Sequence, residues 1–181
     1  PLTPSLPEPH PPTPRPCSPA TICPVRAVVQ RAHGASVTVD GVVLGAFRGP
    51  GLVVLVGVTH EDTPAVAKRL AEKIHGMRLF ERRHAPDPEQ VPEDAARELS
   101  AEELGLPLLV ISQFTLYGDT RKGRRPTWDA AAPGPVAEPL VTAVVDALRA
   151  RGASVQTGRF GADMQVCLTN DGPITLIVEV G

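Results

Sequence analysis

Residues 36–47 of this 181-residue chain read Ser-Val-Thr-Val-Asp-Gly-Val-Val-Leu-Gly-Ala-Phe. The dipeptide Asp40–Gly41 lies between two apolar runs that are rich in β-branched residues. A type I′ turn needs positive φ angles at both central residues, and Asp-Gly is one of the pairs that supply them. The stretch therefore predicts a β-hairpin with its tip at Asp40–Gly41.

Further strands are predicted on both sides of this hairpin. Val25–Ala32 precedes it, and Leu52–Val58 follows a turn signal at Arg48–Gly51. Leu52–Val58 is a continuous apolar run, which favours a central strand covered on both faces. Leu108–Ser112 is predicted as a second buried strand.

Apolar residues at helical spacing predict two main helices. The first begins at Thr63, a residue type favoured at the N-cap, with Pro64 in the first helical position. The second ends before Gly152, which fits a C-terminal glycine cap. The apolar stripes are Val66, Leu70, Ile74 and Met77 in the first helix, and Val136, Leu140, Val141, Val144, Val145 and Leu148 in the second.

Three strands are predicted to close the chain. They are Ala153–Thr157, Met164–Thr169 and Ile174–Val180, and a turn at Asn170–Pro173 joins the last two. Strands at both ends with helices between them predict a mixed α/β fold, not a repeating βαβ array. The length is that of one domain, which we expect to span residues 25–181.

The N-terminal segment differs in composition from the rest of the chain. Ten of the 21 prolines fall in residues 1–24, so we expect a disordered, proline-rich extension without a role in the fold. It lacks the basic start and apolar stretch of a secretory signal. Three cysteines, without a Cys-x-x-Cys pair, indicate a reducing compartment. No apolar run reaches the ~20 residues of a membrane-spanning helix. We expect a cytoplasmic location.

The net charge of −2 conceals two charged segments of opposite sign. Residues 87–103 carry seven acids and one base, and a short helix is predicted within them at Glu93–Leu99. The basic cluster consists of Arg121, Lys122, Arg124 and Arg125. Such a cluster either binds an anionic partner such as a nucleic acid or is a solvated loop.

Two polar segments are candidates for chemistry. Ser112–Thr115 ends a buried strand, where polar groups are held rigidly and can face a cleft, although they can also satisfy local backbone groups. Asn170–Thr175 is the second, and a plain hairpin turn is the simpler interpretation of it. The histidines His60 and His84 are expected in loops and His75 in a helix, without a special role.

Several motifs in this order resemble the D-aminoacyl-tRNA deacylases. Arg26–Arg31 and the Asp40–Gly41 hairpin are similar to that family's N-terminus. The resemblance covers residues 25–181 except 81–106, where an acidic, proline-containing segment replaces a short Met-Asn segment. Ser112–Thr115 and Asn170–Pro173 match the D-specific branch of the family. The other matching motifs are Asp119–Pro126 and Thr157–Met164.

The resemblance implies a fold and an activity. The fold would be a homodimer of mixed β-sheets in a barrel-like layered arrangement, flanked by two main helices. The activity would be hydrolysis of the ester bond between a D-amino acid, or mischarged glycine, and the terminal ribose of tRNA, as chiral proofreading in translation. It implies no metal or other cofactor. The alternative is a catalytically inactive tRNA-binding relative.

The resemblance also assigns roles to residues. Gly172–Pro173, with a cis peptide bond, would reach from one subunit into the other's active site, opposite Ser112–Thr115. A rigid backbone there would reject L side chains and admit D side chains or glycine. The expected site residues are catalytic Ser112, Gln113, Phe114 and Thr115, substrate-selecting Met164, Asn170, Gly172, Pro173 and Thr175, and tRNA-binding Arg121, Lys122, Arg124 and Arg125.

Two catalytic routes are open at this point. Thr115 would be the nucleophile in the first, although a neutral hydroxyl is weak without a base. In the second, which we favour, water attacks and backbone amides near Gln113 and Phe114 stabilise the oxyanion. The neighbouring ribose 2′-hydroxyl would assist. Neither route needs a metal.

Overall fold

The computed structural model describes residues 24–92, 98–121 and 123–181. The proline-rich extension lies outside the described residues except for Pro24, and so does Lys122. Most of the predicted helix at Glu93–Leu99 lies outside them too, and Leu99 itself belongs to a short strand. The extension therefore stays a prediction.

The predicted hairpin is confirmed, and its strands are longer than expected. β1 (Val25–Val39) and β2 (Val42–Gly57) pair antiparallel around a tip where Asp40 has φ 51° and Gly41 φ 77°. The breaks predicted near residues 33–35 and 48–51 are irregularities within continuous strands. A register shift follows His33 in β1, and Gly49 takes a φ of 71° in β2.

Within the described residues, five strands form one mixed sheet in the order β6-β5-β2-β1-β7. β5 (Leu108–Ser112) and β6 (Val155–Thr157) run parallel to β2, and β7 (Gln165–Val180) runs antiparallel to β1. β2 is therefore central, as the apolar run in it predicted. Leu52, Val53 and Val54 are fully buried, which shows that both faces of β2 are covered.

Both main helices are confirmed at their predicted positions. α1 (Pro64–Gly76) begins after Thr63, whose hydroxyl accepts a hydrogen bond from the Val66 N–H at 3.4 Å. α3 (Gly134–Ala150) ends before Gly152, which has a φ of 84°. Between them lie β3 (Arg78–Phe80), β4 (Leu99–Ser100) and α2 (Ala101–Leu104). None of the helices in the described part of the chain has the length and apolarity to cross a membrane.

Each face of the sheet has its own apolar core. The apolar faces of α1 and α3, including Leu70 and Val144, pack on one face against strand residues such as Val54. On the other face, the hairpin bends back so that Phe47 packs with Ile111. The bend is tight, since a Cβ placed at Gly51 would lie 2.6 Å from the ring of Phe47. The mixed α/β class is confirmed, and the fold is barrel-like only loosely, because β6 and β7 are the two edges of an open sheet.

The prediction of a turn joining two strands at Asn170–Pro173 is wrong. β7 is one strand paired with β1, in which Thr175 lies opposite Gln30 and Asn170 lies opposite Ala32. Residues 171–174 therefore face a single β1 residue, Arg31, and must leave the regular ladder. They form an enlarged bulge of the kind that re-aims a strand segment away from the sheet.

Candidate active site

Ser112–Thr115 marks the point where β5 gives way to a 3-10 turn. The Gln113 N–H donates to the Val56 carbonyl at 2.7 Å, which extends the contact with β2 by one residue. The turn Phe114–Tyr117 follows, and its first hydrogen bond runs from the Leu116 N–H to the Gln113 carbonyl at 3.3 Å. The N–H groups of Phe114 and Thr115 precede that bond, so the turn itself does not use them.

Gly57 fixes the position of this turn from behind. A Cβ at Gly57 would lie 2.9 Å from the Gln113 carbonyl oxygen and 3.1 Å from the side chains of Leu116 and Tyr117. The 2.9 Å contact with a backbone oxygen is closer than real Cβ atoms come, so glycine is needed for the turn to pack on β2. The amides at the end of β5 are therefore held by packing as well as by hydrogen bonds.

Three of the four predicted catalytic residues line one cavity of about 330 Å³. Ser112, Gln113 and Phe114 form part of its wall, between β5 and the start of α3. Ser112 also lines a neighbouring cavity of about 220 Å³, together with the predicted substrate residue Met164. Thr115 is exposed, outside the lining of both cavities. The structure thus brings Met164 next to the Ser112–Phe114 segment within one chain.

Two further aromatic residues of this site were missed in the sequence. Trp128 packs edge-on against Phe114, with ring centroids 5.4 Å apart, and lines the same cavity. Phe160 lines both cavities. The chain has one Trp, one Tyr and four Phe, and three of these six line the larger cavity. The rarity of aromatic residues was the signal that could have pointed to Trp128 and Phe160.

The surroundings of Thr115 do not favour a nucleophilic role. The side-chain amide of Gln113 donates a hydrogen bond to the Thr115 hydroxyl oxygen. An amide is not a base, and a serine or threonine hydroxyl needs a base to become a strong nucleophile. Across residues 24–92, 98–121 and 123–181, no group of three or more His, Cys, Asp or Glu side chains could hold a metal ion.

The segment Asn170–Thr175 lies elsewhere in the same chain. Three strand spacings of about 4.8 Å, or roughly 14 Å, separate β5 from β7 across the sheet. Along the strands, Ser112 is level with Ala27 of β1, whereas Asn170 is level with Ala32. That offset is roughly 17 Å at about 3.4 Å per residue. Within one chain, the predicted catalytic segment Ser112–Thr115 and the predicted selecting segment Asn170–Thr175 are therefore not brought together.

The bulge is anchored through its two flanking polar side chains. The Asn170 side-chain amide donates to the carbonyls of Arg31 at 2.8 Å and Ile174 at 3.2 Å, so it closes the base of the bulge. The Thr175 hydroxyl accepts a hydrogen bond from the Gln30 amide at 3.3 Å. Gly172 is exposed at the tip, and a Cβ there would have Asn170 Oδ1 at 4.0 Å as its nearest neighbour.

The basic cluster lies on the loop that follows the 3-10 turn. Asp119 and Thr127 form a two-residue bridge across the base of this loop. Arg121 makes a bidentate ion pair with Asp119, at 2.6 Å for the closest approach, so part of its charge is neutralised from outside the run. Arg124 and Arg125 are exposed. The loop therefore presents these two arginines as its main cationic surface among the described residues.

Neutralising the loop should distinguish a nucleic-acid contact from a solvated loop. We expect the double variant Arg124→Gln and Arg125→Gln to weaken tRNA binding. The slope of log affinity against log salt should become shallower by about one to two units, because fewer counterions are released on binding when phosphate contacts are lost. Arg121→Gln, which removes a charge already paired with Asp119, is the matched control with the smaller effect. An unchanged slope in the double variant would mean that the loop is only solvated.

Comparison with known proteins identifies the family. The family model for D-Tyr-tRNA(Tyr) deacylase matches residues 28–179. The D-aminoacyl-tRNA deacylases of Streptomyces coelicolor and Thermobifida fusca are 60% and 59% identical to this chain over 156 residues, which are 86% of it and all of each relative.

Solved structures show the same fold. One described as c-Myc DNA Unwinding Element Binding Protein superimposes with a TM-score of 0.72 at 36% identity, over 85% of this chain and 97% of that one. A probable eukaryotic D-amino acid tRNA deacylase superimposes with a TM-score of 0.70 at 18% identity, over 86% and 98%. The chain belongs to the D-Tyr-tRNA(Tyr) deacylase family.

Proposed function

We infer that this protein is a D-aminoacyl-tRNA deacylase, a hydrolase that cleaves the ester between a D-amino acid and the terminal ribose of tRNA and so proofreads chirality in translation. The observation that carries the activity is the cavity lined by Ser112, Gln113 and Phe114, where the backbone passes from β5 into a 3-10 turn. Its family and its curated relatives support the substrate. We place the enzyme in the cytoplasm, where tRNA is charged.

Water is the attacking nucleophile in the mechanism that the geometry favours. It adds to the ester carbonyl carbon, and the oxyanion that forms accepts hydrogen bonds from the N–H groups of Phe114 and Thr115. Collapse of this intermediate breaks the bond to the ribose oxygen, which takes up a proton as the amino acid leaves. Preorganised backbone donors of this kind are often the largest single contribution to acyl-transfer catalysis. The Gln113 amide on Thr115 Oγ1 supports this route over covalent catalysis.

The active form is a homodimer in the same proposal. Gly172 and Pro173 lie too far along the sheet from Ser112 to meet it within one chain, as the strand pairing indicates. A second copy would bring Gly172–Pro173 of one subunit against Ser112–Thr115 of the other. The open space around Gly172 and its exposure support such a contact.

Selection of the D configuration follows from a backbone wall in that arrangement. A carbonyl of Gly172–Pro173, held against the α-carbon of the substrate, would clash with an L side chain and clear a D side chain or glycine. This discriminates by exclusion and leaves the side chain itself unread. Many D-aminoacyl-tRNAs and mischarged glycyl-tRNA should therefore be substrates.

Deacylation of matched D- and L-tyrosyl-tRNA by the purified protein tests the proposal. We expect rapid hydrolysis of the D-ester and of glycyl-tRNA, and background rates with the L-ester. Binding of tRNA without hydrolysis of either ester would identify a catalytically inactive relative instead. Equal hydrolysis of both esters would contradict the proposed wall.

A further inference from the structure

Trp128 is the single tryptophan of the chain, and it is partly open to solvent at the edge of the candidate active site. Its side chain is 40% exposed, and the ring of Phe114, which packs against it, is 55% exposed. Both residues line the cavity of about 330 Å³. Large aromatic side chains are mostly buried in folded proteins, so two that are exposed side by side at a cavity indicate a surface for a ligand.

The indole ring is held in place by its surroundings. A Cβ placed at Gly118 would lie 2.7 Å from Cζ3 of Trp128, so the edge of the ring packs directly on the Gly118 backbone. The Trp128 carbonyl accepts a hydrogen bond from the Ala131 N–H at 2.9 Å, and the Ala132 N–H donates to the Val58 carbonyl at 3.0 Å. A ring that is fixed in this way loses little conformational entropy when it binds a planar ligand.

The loop before Trp128 carries the exposed arginines of the basic cluster. Asp119 and Thr127 exchange two backbone hydrogen bonds, at 2.8 and 3.0 Å, which close the base of this loop. Trp128 is the next residue after that closure, and Arg124 and Arg125 lie on the loop itself. One loop thus joins a cationic surface to an aromatic ring in the cavity wall.

Single-stranded RNA is the ligand chemistry that such a surface fits. Proteins bind single strands by placing cationic side chains along the phosphates and by stacking bases on aromatic rings. RNA ends are frequent targets because their bases can be splayed out. The 3′ end of tRNA is single-stranded, and its terminal ribose carries the ester that the proposed reaction cleaves at the Phe114 and Thr115 amides. The nucleotides before the terminal one must therefore leave the cavity over its edge.

We propose that Trp128 stacks on a base of the single-stranded 3′ end of tRNA, one that precedes the terminal nucleotide, while Arg124 and Arg125 contact phosphates of the same strand. The inference rests on the proposed function, since it takes the ester to lie at the end of β5. Trp128 contacts the RNA chain and not the reacting atoms, so its contribution is to binding. This contact favours aminoacyl-tRNA over small esters of the same amino acid.

The fluorescence of the single tryptophan reports the stacking directly. A base that stacks on indole quenches its fluorescence, and selective excitation of tryptophan excludes the signal of tyrosine. We expect uncharged tRNA with an intact 3′ end to quench Trp128 strongly at saturation. Adenosine, the terminal nucleoside alone, and tRNA trimmed of its single-stranded 3′ end should quench it much less. Equal quenching by adenosine, or none by intact tRNA whose binding a gel shift confirms, would overturn the proposal.

Two variants measure what the stacking contributes to turnover. Trp128→Phe keeps an aromatic face, whereas Trp128→Leu keeps apolar bulk without one. The measured quantity is the ratio of kcat/KM for D-tyrosyl-tRNA to that for 3′-O-D-tyrosyl-adenosine, an ester without the preceding nucleotides. We expect Trp128→Leu to lower this ratio about tenfold, within the range that one base–aromatic stack supplies, mainly through KM for the tRNA. Trp128→Phe should keep the ratio close to that of wild type.

Val136→Ser is the matched control for these variants. Val136 is 39% exposed, nearly the same fraction as Trp128, and lies on α3 outside the lining of both cavities. Its replacement should leave the ratio unchanged. A residue that only shapes the cavity would affect both esters equally, so an unchanged ratio in Trp128→Leu would overturn the proposal. Equal falls in Trp128→Leu and Trp128→Phe would do the same, because an aromatic face would then make no difference.

The stacking and the proposed activity can fail separately. Quenching by intact tRNA, in a protein that hydrolyses no D-aminoacyl-tRNA, would support the stacking and refute the activity. D-selective hydrolysis without quenching would support the activity and refute the stacking.

Discussion

Replacing Pro173 by alanine is expected to lower the D-to-L ratio of tyrosyl-tRNA hydrolysis roughly tenfold to a hundredfold, the range that small steric differences in a pocket supply. Proline fixes its own φ angle and restricts the residue before it, so Pro173 limits the conformations open to Gly172. Alanine removes both restrictions. The Gly172 carbonyl would then sample several orientations, and an L side chain would no longer be excluded.

The ratio must be read together with the melting temperature. A purely structural role for Pro173 would lower the melting temperature and leave the ratio of the surviving activity unchanged. Pro88→Ala is a suitable control, because Pro88 lies exposed in a short turn, Pro88–Gln90, remote from β7 in sequence. An unchanged ratio in a folded Pro173→Ala protein would mean that Gly172–Pro173 is only a bulge in the strand.

Replacing Phe114 by proline is expected to reduce kcat roughly a hundredfold to a thousandfold, the loss seen when one oxyanion donor is removed. Proline has no N–H, so this change deletes one of the two proposed donors. The local backbone can accept proline at position 114 for two reasons. Phe114 is the first residue of its 3-10 turn, a position where proline is tolerated. The preceding residue, Gln113, has φ −143° and ψ 80°, so it avoids the α conformation that proline disfavours in the residue before it. Single-turnover hydrolysis of D-tyrosyl-tRNA is the measurement.

Phe114→Ala separates the backbone from the ring. The ring is 55% exposed and packs against Trp128, so alanine removes this contact and keeps the N–H. We expect Phe114→Ala to raise KM more than it lowers kcat, the reverse of the proline variant. If both variants lose kcat equally, the aromatic side chain and not the amide is the catalytic contribution at this position.

Local sequence signals predicted the elements that local interactions form. Asp40 and Gly41 both have positive φ, as a type I′ turn between two strands requires, and Thr63–Pro64 begins α1 with the expected cap. The continuous apolar run in β2 predicted a strand with two covered faces, because alternation disappears where both faces are buried.

The structure of Asn170–Pro173 could not be predicted from the sequence because it depends on pairing with a distant strand. Asn170–Pro173 has the composition of a turn, yet its shape is set by β1, about 140 residues earlier in the chain, against which β7 stays paired on both sides of the bulge. The burial of His84 was missed as well. A histidine beside arginines in a charged segment resembles a solvated loop, whereas in the fold His84 packs against Phe80 and lies 3.1 Å from Asp171, a residue distant in the chain.

The candidate site was partly predictable. Ser112 and Gln113 stand out as polar groups at the end of a buried strand, and the family resemblance added Phe114. All three line the cavity beside them. Trp128 and Phe160 come from two other segments, so only the folded chain brings them to the same wall. The link between this site and Gly172 depends on a second copy and stays a prediction.

A mixed dimer tests the composite site most directly. One subunit carries Phe114→Pro, and the other carries Gly172→Val, whose Cβ has room within its own chain. The valine side chain is expected to obstruct the partner's cavity. Each variant alone should be nearly inactive on D-tyrosyl-tRNA. If the site is shared between subunits, the mixed dimer pairs the intact turn of one chain with the intact Gly172 of the other, and close to half of the wild-type activity should return. Activity no higher than that of the two parent variants would contradict the account.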